Sequence, residues 1–284
     1  MGRTFIRTTL IACGAMILAV ASVSPGFTND NENLLRFRAE VITALQKERP
    51  QRTFTPDPAD PARILSGPHT MDVTNIFNKV RAYPEDPKDE IIADFVTAII
   101  GTMGPLDEFR LEELVTVLRS TGYVDHLRGT GITLVTKPIA SDVHAVVMRN
   151  TPRTFMTIEP ENFPNKSRDE LYEIGMQNTT ELLPDLASDH QDNFSLYYLD
   201  GEYDLTNSLA LMPEFWAIVR ARFGDDFIFA IPRRDQLFVF DAKRSNSKAS
   251  AISLIQATFA QNHNLLSPQV FELDNGKITS IWAP

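Results

Sequence analysis

The clearest blocks of apolar and polar positions lie between Phe194 and Ala242. Phe194 to Leu199 is an aromatic-rich apolar run, too short for a buried helix, and predicts a strand. Asp200-Gly201 predicts a turn. Asp204 to Ser208 is polar and suits the start of a helix. Leu209, Leu211, Met212, Phe215, Trp216, Val219 and Phe223 then recur at roughly helical spacing, and Gly224 is placed to close that helix. Phe227 to Ile231 and Leu237 to Phe240 predict a hairpin connected through Pro232-Arg233-Arg234-Asp235. Together these elements would bury most of the aromatic side chains of the C-terminal half. In so acidic a chain they read as core, not as a stacking platform for nucleic acid.

Elsewhere, Leu34, Leu35, Phe37, Val41, Ile42 and Leu45 share one helical face, predicting a helix over Asn33 to Lys47 that Pro50 ends. Asp57, Pro58, Asp60 and Pro61 form a loop whose flanks, Arg52 to Thr55 and Arg63 to Leu65, can pair. A short apolar segment runs from Met71 to Phe77. Asp86 to Gly101 predicts a helix with acids at its start. Leu111 to Arg119 fits helix by propensity and strand by its β-branched residues. Ile132 to Val135, Val143 to Met148 and Phe155 to Ile158 predict strands. Ser167 with Glu170 is a capping box opening a helix that Pro184 ends. Asn246 to Asn262 predicts a further helix. Val270 to Leu273 and Ile278 to Trp282 predict a closing hairpin across Asn275-Gly276. Helices mixed with adjacent strands, without a βαβ rhythm, predict an α+β fold with antiparallel sheets and packed helices. Residues 33–284 form this region, open to division into two subdomains near residue 125.

The N-terminus changes the picture. Arg3 and Arg7 precede an uncharged apolar run from Leu10 to Val23, and Ala19-Val20-Ala21 is a small-x-small site. This predicts a signal peptide over residues 1–24, cleaved after Ala21 or a few residues later, with a flexible tether over 25–32 and no stable membrane span after processing. The alternatives are an uncleaved anchor or lipidation of Cys13, although the apolar run continues well past that cysteine. Localisation is then periplasmic or extracellular. The mature chain would have no cysteine, so neither disulfides nor thiol catalysis are open to it. The formal charge is −10, and losing the two leader arginines leaves 25 basic against 37 acidic residues, or −12. An acidic surface disfavours nucleic acid and anionic lipid.

Candidate chemistry is sparse. The five histidines are scattered without ligand spacing, so no metal site and no cofactor are predicted, and no G-x-S-x-G, P-loop or G-x-G-x-x-G is present. The best polar constellation is Asp200, Glu202, Tyr203, Asp204 and Asn207. Its three carboxylates offer oxygen ligands to a hard cation, or Asp204 or Thr206 simply caps the next helix. Arg119 is a partner for one of these acids or for a ligand carboxylate. Asp225-Asp226 and Arg233-Arg234 read as solvated hairpin charges.

The segments FRAEVITALQKERPQRTFTPDP, VTNIFNKV, VTVLRSTGY, SRDELYEIGMQNTTELL and LDGEYDLTNSLALMPEFW, with FIFAIPRRDQLFVFDA, resemble in order the YtpQ-like bacterial family, a domain of unknown function. The matching positions include Leu118-Arg119-Ser120 and Asp200-Gly201-Glu202-Tyr203-Asp204, where Glu202 departs from the family pattern. The resemblance spans roughly Asn33 to Trp282. It implies an α+β fold and a partly extended LEELVTVLR segment, and it implies no activity. The leader departs from the family's cytoplasmic habit. The expectation is an exported, non-catalytic protein that binds an unknown protein, peptide or small ligand, or serves assembly. The alternative is a hydrolase acting through residues 200–204, with or without a metal.

Overall fold

The computed structural model describes residues 30–67, 69–102, 109–151, 155–192, 194–200, 203–261 and 263–284. The predicted leader with Cys13, most of the tether, and Gly201 and Glu202 of the acidic turn lie outside the described residues. The chain is mixed helix and antiparallel sheet, as the α+β expectation holds. Among the described residues no helix is long and apolar enough to cross a membrane.

Helix α1 spans Asp30–Glu48. It therefore takes in residues 30–32, expected as tether; Asp30 and Glu32 in its first turn suit the positive end of the helix. Strands β1 (Thr55–Pro56), β2 (Arg63–Ser66) and β3 (His69–Asp72) form a three-stranded antiparallel sheet, and helices α2 (Thr74–Ala82) and α3 (Lys88–Thr102) follow. Phe37, Val41 and Leu45 of α1 pack with Phe54, Ile64, Met71, Phe77, Ile92 and Val96 as a separate apolar cluster. Buried Arg38 holds the β1–β2 loop by donating from Nη1 to the carbonyls of Asp57, Asp60 and Arg63 at 3.2, 3.0 and 3.3 Å.

A 3-10 turn at Leu111–Glu113 leads into β4, Leu114–Ser120. The extended reading of this ambiguous segment holds because six consecutive positions of β4 are buried, which one helical face cannot accomplish. Helix α4 is Thr121–Gly129. The strand expected at Ile132 to Val135 lies later, as β5 (Thr136–Pro138), although the Val135 carbonyl already accepts from Val147 N at 2.9 Å. Strands β6 (Val143–Asn150) and β7 (Phe155–Thr157) complete a second antiparallel sheet, with β6 paired to β4 along seven residues, across residue 125. Helix α5 (Arg168–Thr180), opened by the Ser167–Glu170 capping box, covers its outer face through Leu171.

Gly175 sets how closely α5 sits. A Cβ there would meet Thr116 Oγ1 at 2.7 Å and Val147 Cγ1 at 3.2 Å. Thr179 ties the same turn down, accepting from Thr116 N at 2.8 Å and donating to the Gly175 carbonyl at 2.6 Å. Gly175→Ala should therefore destabilise by about 1–2 kcal/mol, overpacking outweighing the gain in helix propensity. Denaturant unfolding checks this; an unchanged midpoint would mean that Thr116 swings aside at no cost.

Strands β8 (Leu186–His190) and β9 (Phe194–Leu199), helix α6 (Pro213–Phe223), strands β10 (Phe227–Arg233) and β11 (Gln236–Asp241), helix α7 (Ser247–Ala260), and strands β12 (Val270–Asp274) and β13 (Lys277–Trp282) follow. Their sheet has the order β13-β12-β10-β11-β9-β8, antiparallel throughout. Both faces are covered, which explains the unbroken apolar runs. Phe227, Phe229, Ile231, Leu237 and Val239 face α6, whereas Ile228, Ala230, Phe238 and Phe240 face α7. Trp216 anchors the first face, its ring 4.7 Å from Phe229 and 4.9 Å from Phe215. Asn275 and Gly276 both take positive φ, 48° and 80°, as the tight closing hairpin requires.

The helix expected after Asp204 is two elements. Tyr203–Leu211 is a 3-10 helix, and α6 starts only at Pro213. Proline lacks the N–H a continuing helix needs and forces Met212 into an extended conformation, φ −98° and ψ 115°. Gly224, φ 75°, closes α6 as expected.

Candidate functional site

The 3-10 helix lies between the two larger sheets, and its polar residues hold them together. Asn207 is wholly buried. Its Oδ1 accepts from Leu118 N of β4 at 2.6 Å, and its Nδ2 donates to the Arg234 carbonyl at the β10–β11 turn at 2.8 Å. Its backbone N donates to the same carbonyl at 3.1 Å. Thr206 caps no helix; its Oγ1 accepts from Leu199 N of β9 at 3.1 Å. Two residues of the acidic constellation's neighbourhood thus serve as ties between strands.

The other members are placed as follows. Asp200 follows β9 on the surface, its amide donating to the Asp185 carbonyl at 2.9 Å. Tyr203 and Asp204 begin the 3-10 helix. Asn207 reaches the residue next to Arg119, so the structure brings these two into one region. Among the described residues no three His, Cys, Asp or Glu side chains gather as a ligand set.

Arg119 is the next-to-last residue of β4 and is 4% exposed. Its Nη1 donates to the Leu118 carbonyl at 2.9 Å, and its guanidinium lies 5.8 Å from the Tyr123 ring centre and 5.7 Å from that of Phe155. Across the β4–β6 ladder stands His144, whose pKa is held below its ordinary value by burial and then by Arg128. Arg119 borders a cleft of about 160 Å³. Asn75 of α2, Ser120 and Tyr123 at the start of α4, and Arg234 with Asn264 line the rest, over an apolar margin of Leu265 and Leu266. The Arg234 guanidinium donates to Asn264 Oδ1, and Asn264 holds a positive φ of 51°. No carboxylate is among the described lining residues.

The hairpin charges were expected in solvent, and this is corrected for both arginines. Arg234 is half-buried in the cleft wall. Arg233 is 5% exposed, chelated by Asp235 at 2.9 and 2.7 Å and donating to Tyr83 Oη at 2.6 Å. That contact fastens the segment after α2 to the C-terminal sheet. Burial disfavours the Arg233 cation, but Asp235 and Tyr83 outweigh it and its pKa is raised. Sequence reasoning missed Asn75, Ser120, Arg234 and Asn264, which are far apart in the chain and carry no shared motif.

A second, larger cleft of about 290 Å³ lies between α4, β5 and α5, with Arg128 and Arg168 at its rim. Both arginines are solvent-facing, and Arg128 lies 3.8 Å from Asp125. No protein-family model, curated protein or solved structure matches this chain.

Proposed function

We propose that this chain is an exported, non-catalytic binding or assembly protein of the bacterial cell envelope, related to the YtpQ-like family, and that its ligand enters the Arg119 cleft. Export rests on the Arg3/Arg7 and Leu10 to Val23 leader pattern with its Ala19-Val20-Ala21 site. The family relation rests on the ordered segments named above, and the extended course of β4 agrees with it.

The carrying observation is the composition of the cleft. It joins Asn75 of α2, Arg119 of β4, Ser120 and Tyr123 at the start of α4, Arg234 of the β10–β11 turn and Asn264, and no acid is among its described lining residues. Such groups orient a ligand by hydrogen bonds and charge; they do not activate water. Asn207, a wholly buried member of the acidic constellation, is bonded to the backbone of Leu118 and Arg234.

The test is a thermal-shift screen of the mature protein against metabolites and metals. A ligand that binds only the native form adds about 2.7 kcal/mol when present at 100 times its Kd. A stabilising compound whose effect is lost in Asn75→Leu supports this reading. If no compound stabilises the protein, or if Asp204→Asn abolishes a measurable turnover while Tm stays put, the hydrolase alternative displaces it. N-terminal sequencing of the envelope fraction should find the mature chain beginning at Ser22 or within a few residues of it.

A further inference from the structure

The Arg119 cleft contrasts with the acidic character of the chain as a whole, and that contrast bears on its ligand class. The chain as a whole is acidic, −10, yet the cleft brings Arg119 and Arg234 together. It also lies at the starts of two nine-residue helices. Ser120 is the N-cap of α4, and Asn75 sits in the first turn of α2. At α2 the N-cap is Val73, which offers no side-chain acceptor, and Asp72 Oδ1 accepts from the Thr74 amide at 2.7 Å; at α4 Ser120 Oγ accepts from the Tyr123 amide at 3.3 Å. Helix starts present backbone N–H groups and a partial positive charge, and guanidiniums match the two-oxygen edge of a carboxylate or phosphate. Amides on Asn75 and Asn264 add neutral polar groups that turn to suit a ligand oxygen. At about 160 Å³ the space is well below the 300–1,000 Å³ of sites for drug-sized ligands, so it admits a compact group and not a whole cofactor.

Resting on the binding reading above, we propose that the cleft holds a compact oxyanion, a phosphate or carboxylate group. The anion is either free or the head of a ligand whose remainder runs out over Leu265 and Leu266. Arg119 is fixed between Tyr123 and Phe155 and supplies a preset charge. Arg234 is the adjustable partner, since its side chain is half-exposed and leans on Asn264. No bond to the ligand is made or broken.

The experiment titrates the mature wild-type protein with inorganic phosphate and, separately, acetate, following Tm and heat of binding against sodium chloride at equal ionic strength. A saturable stabilisation by either anion is expected, weakening as chloride is raised. Phosphate alone acting identifies a phosphate source, and acetate alone a carboxylate source. Arg234→Gln should weaken binding about tenfold, the loss of one charge-assisted contact, with Tm of the free protein nearly unchanged. Arg168→Gln, in the other cleft, should bind as wild type. Wild-type affinity in Arg234→Gln, or no effect of either anion beyond chloride, overturns the proposal. If both anions fail while a neutral compound stabilises wild type but not Asn75→Leu, the ligand class is wrong and the binding reading stands. If nothing at all binds, both fall.

Discussion

Asn207→Ala should lower the unfolding free energy by about 3–4 kcal/mol, and Tm by roughly 10 °C for a chain of this size. The bonds from Asn207 to Leu118 N and to the Arg234 carbonyl are unequal. The Arg234 carbonyl keeps the backbone N of residue 207 as a donor after the substitution. Leu118 N has only Oδ1 to donate to on that side of β4, and would be stranded in the interior. A buried donor left without an acceptor costs about 1–3 kcal/mol, and the cavity left by the amide adds to it. Asn207→Asp keeps the shape but sets a carboxylate against the Arg234 carbonyl in a wholly buried place, so it too should destabilise. Guanidinium unfolding of both variants measures this. Normal stability would show that Asn207 is not the tie between the sheets, and would return it to the list of functional residues.

Acidification should weaken the fold between pH 6.5 and 4 through His263. This ring is 1% exposed and its pKa is lowered to about 4, first by burial and then by Arg233, with Lys79 adding and Asp235 opposing. It sits edge-on to Tyr83 at 5.3 Å, beside the Arg233–Tyr83 contact that joins the N-terminal segment to the sheet. Because the folded pKa lies below the unfolded one, the unfolded chain takes up the proton first as pH falls. The stability is complete above about 6.5, declines below it, and levels off near 4. A shift of this size corresponds to about 3 kcal/mol at most. Carboxylates titrate over the lower part of the same window, so the informative quantity is the difference between wild type and His263→Leu. The variant should be less sensitive between pH 7 and pH 5. Parallel curves would mean that His263 is protonated without cost in the folded protein.

Much of the scaffold was legible because it repeats simple periods. Phe194 to Leu199, the β10–β11 pair, the Asn275-Gly276 hairpin and the Ser167–Glu170 box all stand where the residues placed them. What escaped has little apolar period to read. Helix α4 buries only Val124 among its described side chains, β8 has no fully buried residue, and β5 ends in proline. The split at Met212 was written in Pro213, but the apolar spacing on either side masked it.

The site was less legible than the fold. Arg119 and Asn207 could be singled out, yet their contacts depend on β4 meeting a segment 89 residues away. Arg233 and Arg234 look like solvent charges until Tyr83, 150 residues from Arg233, and Asn264 close over them. Local sequence states which groups are polar. Long-range packing decides which of them are buried.

The most direct test of the account is an amide chemical-shift map of the mature protein, recorded while titrating the strongest stabiliser from the ligand screen. Shifts centred on Asn75, Ser120, Tyr123, Arg234 and Asn264, with little change across residues 200–204, are the predicted result. Shifts confined to residues 200–204, with the Arg119 cleft silent, would contradict it.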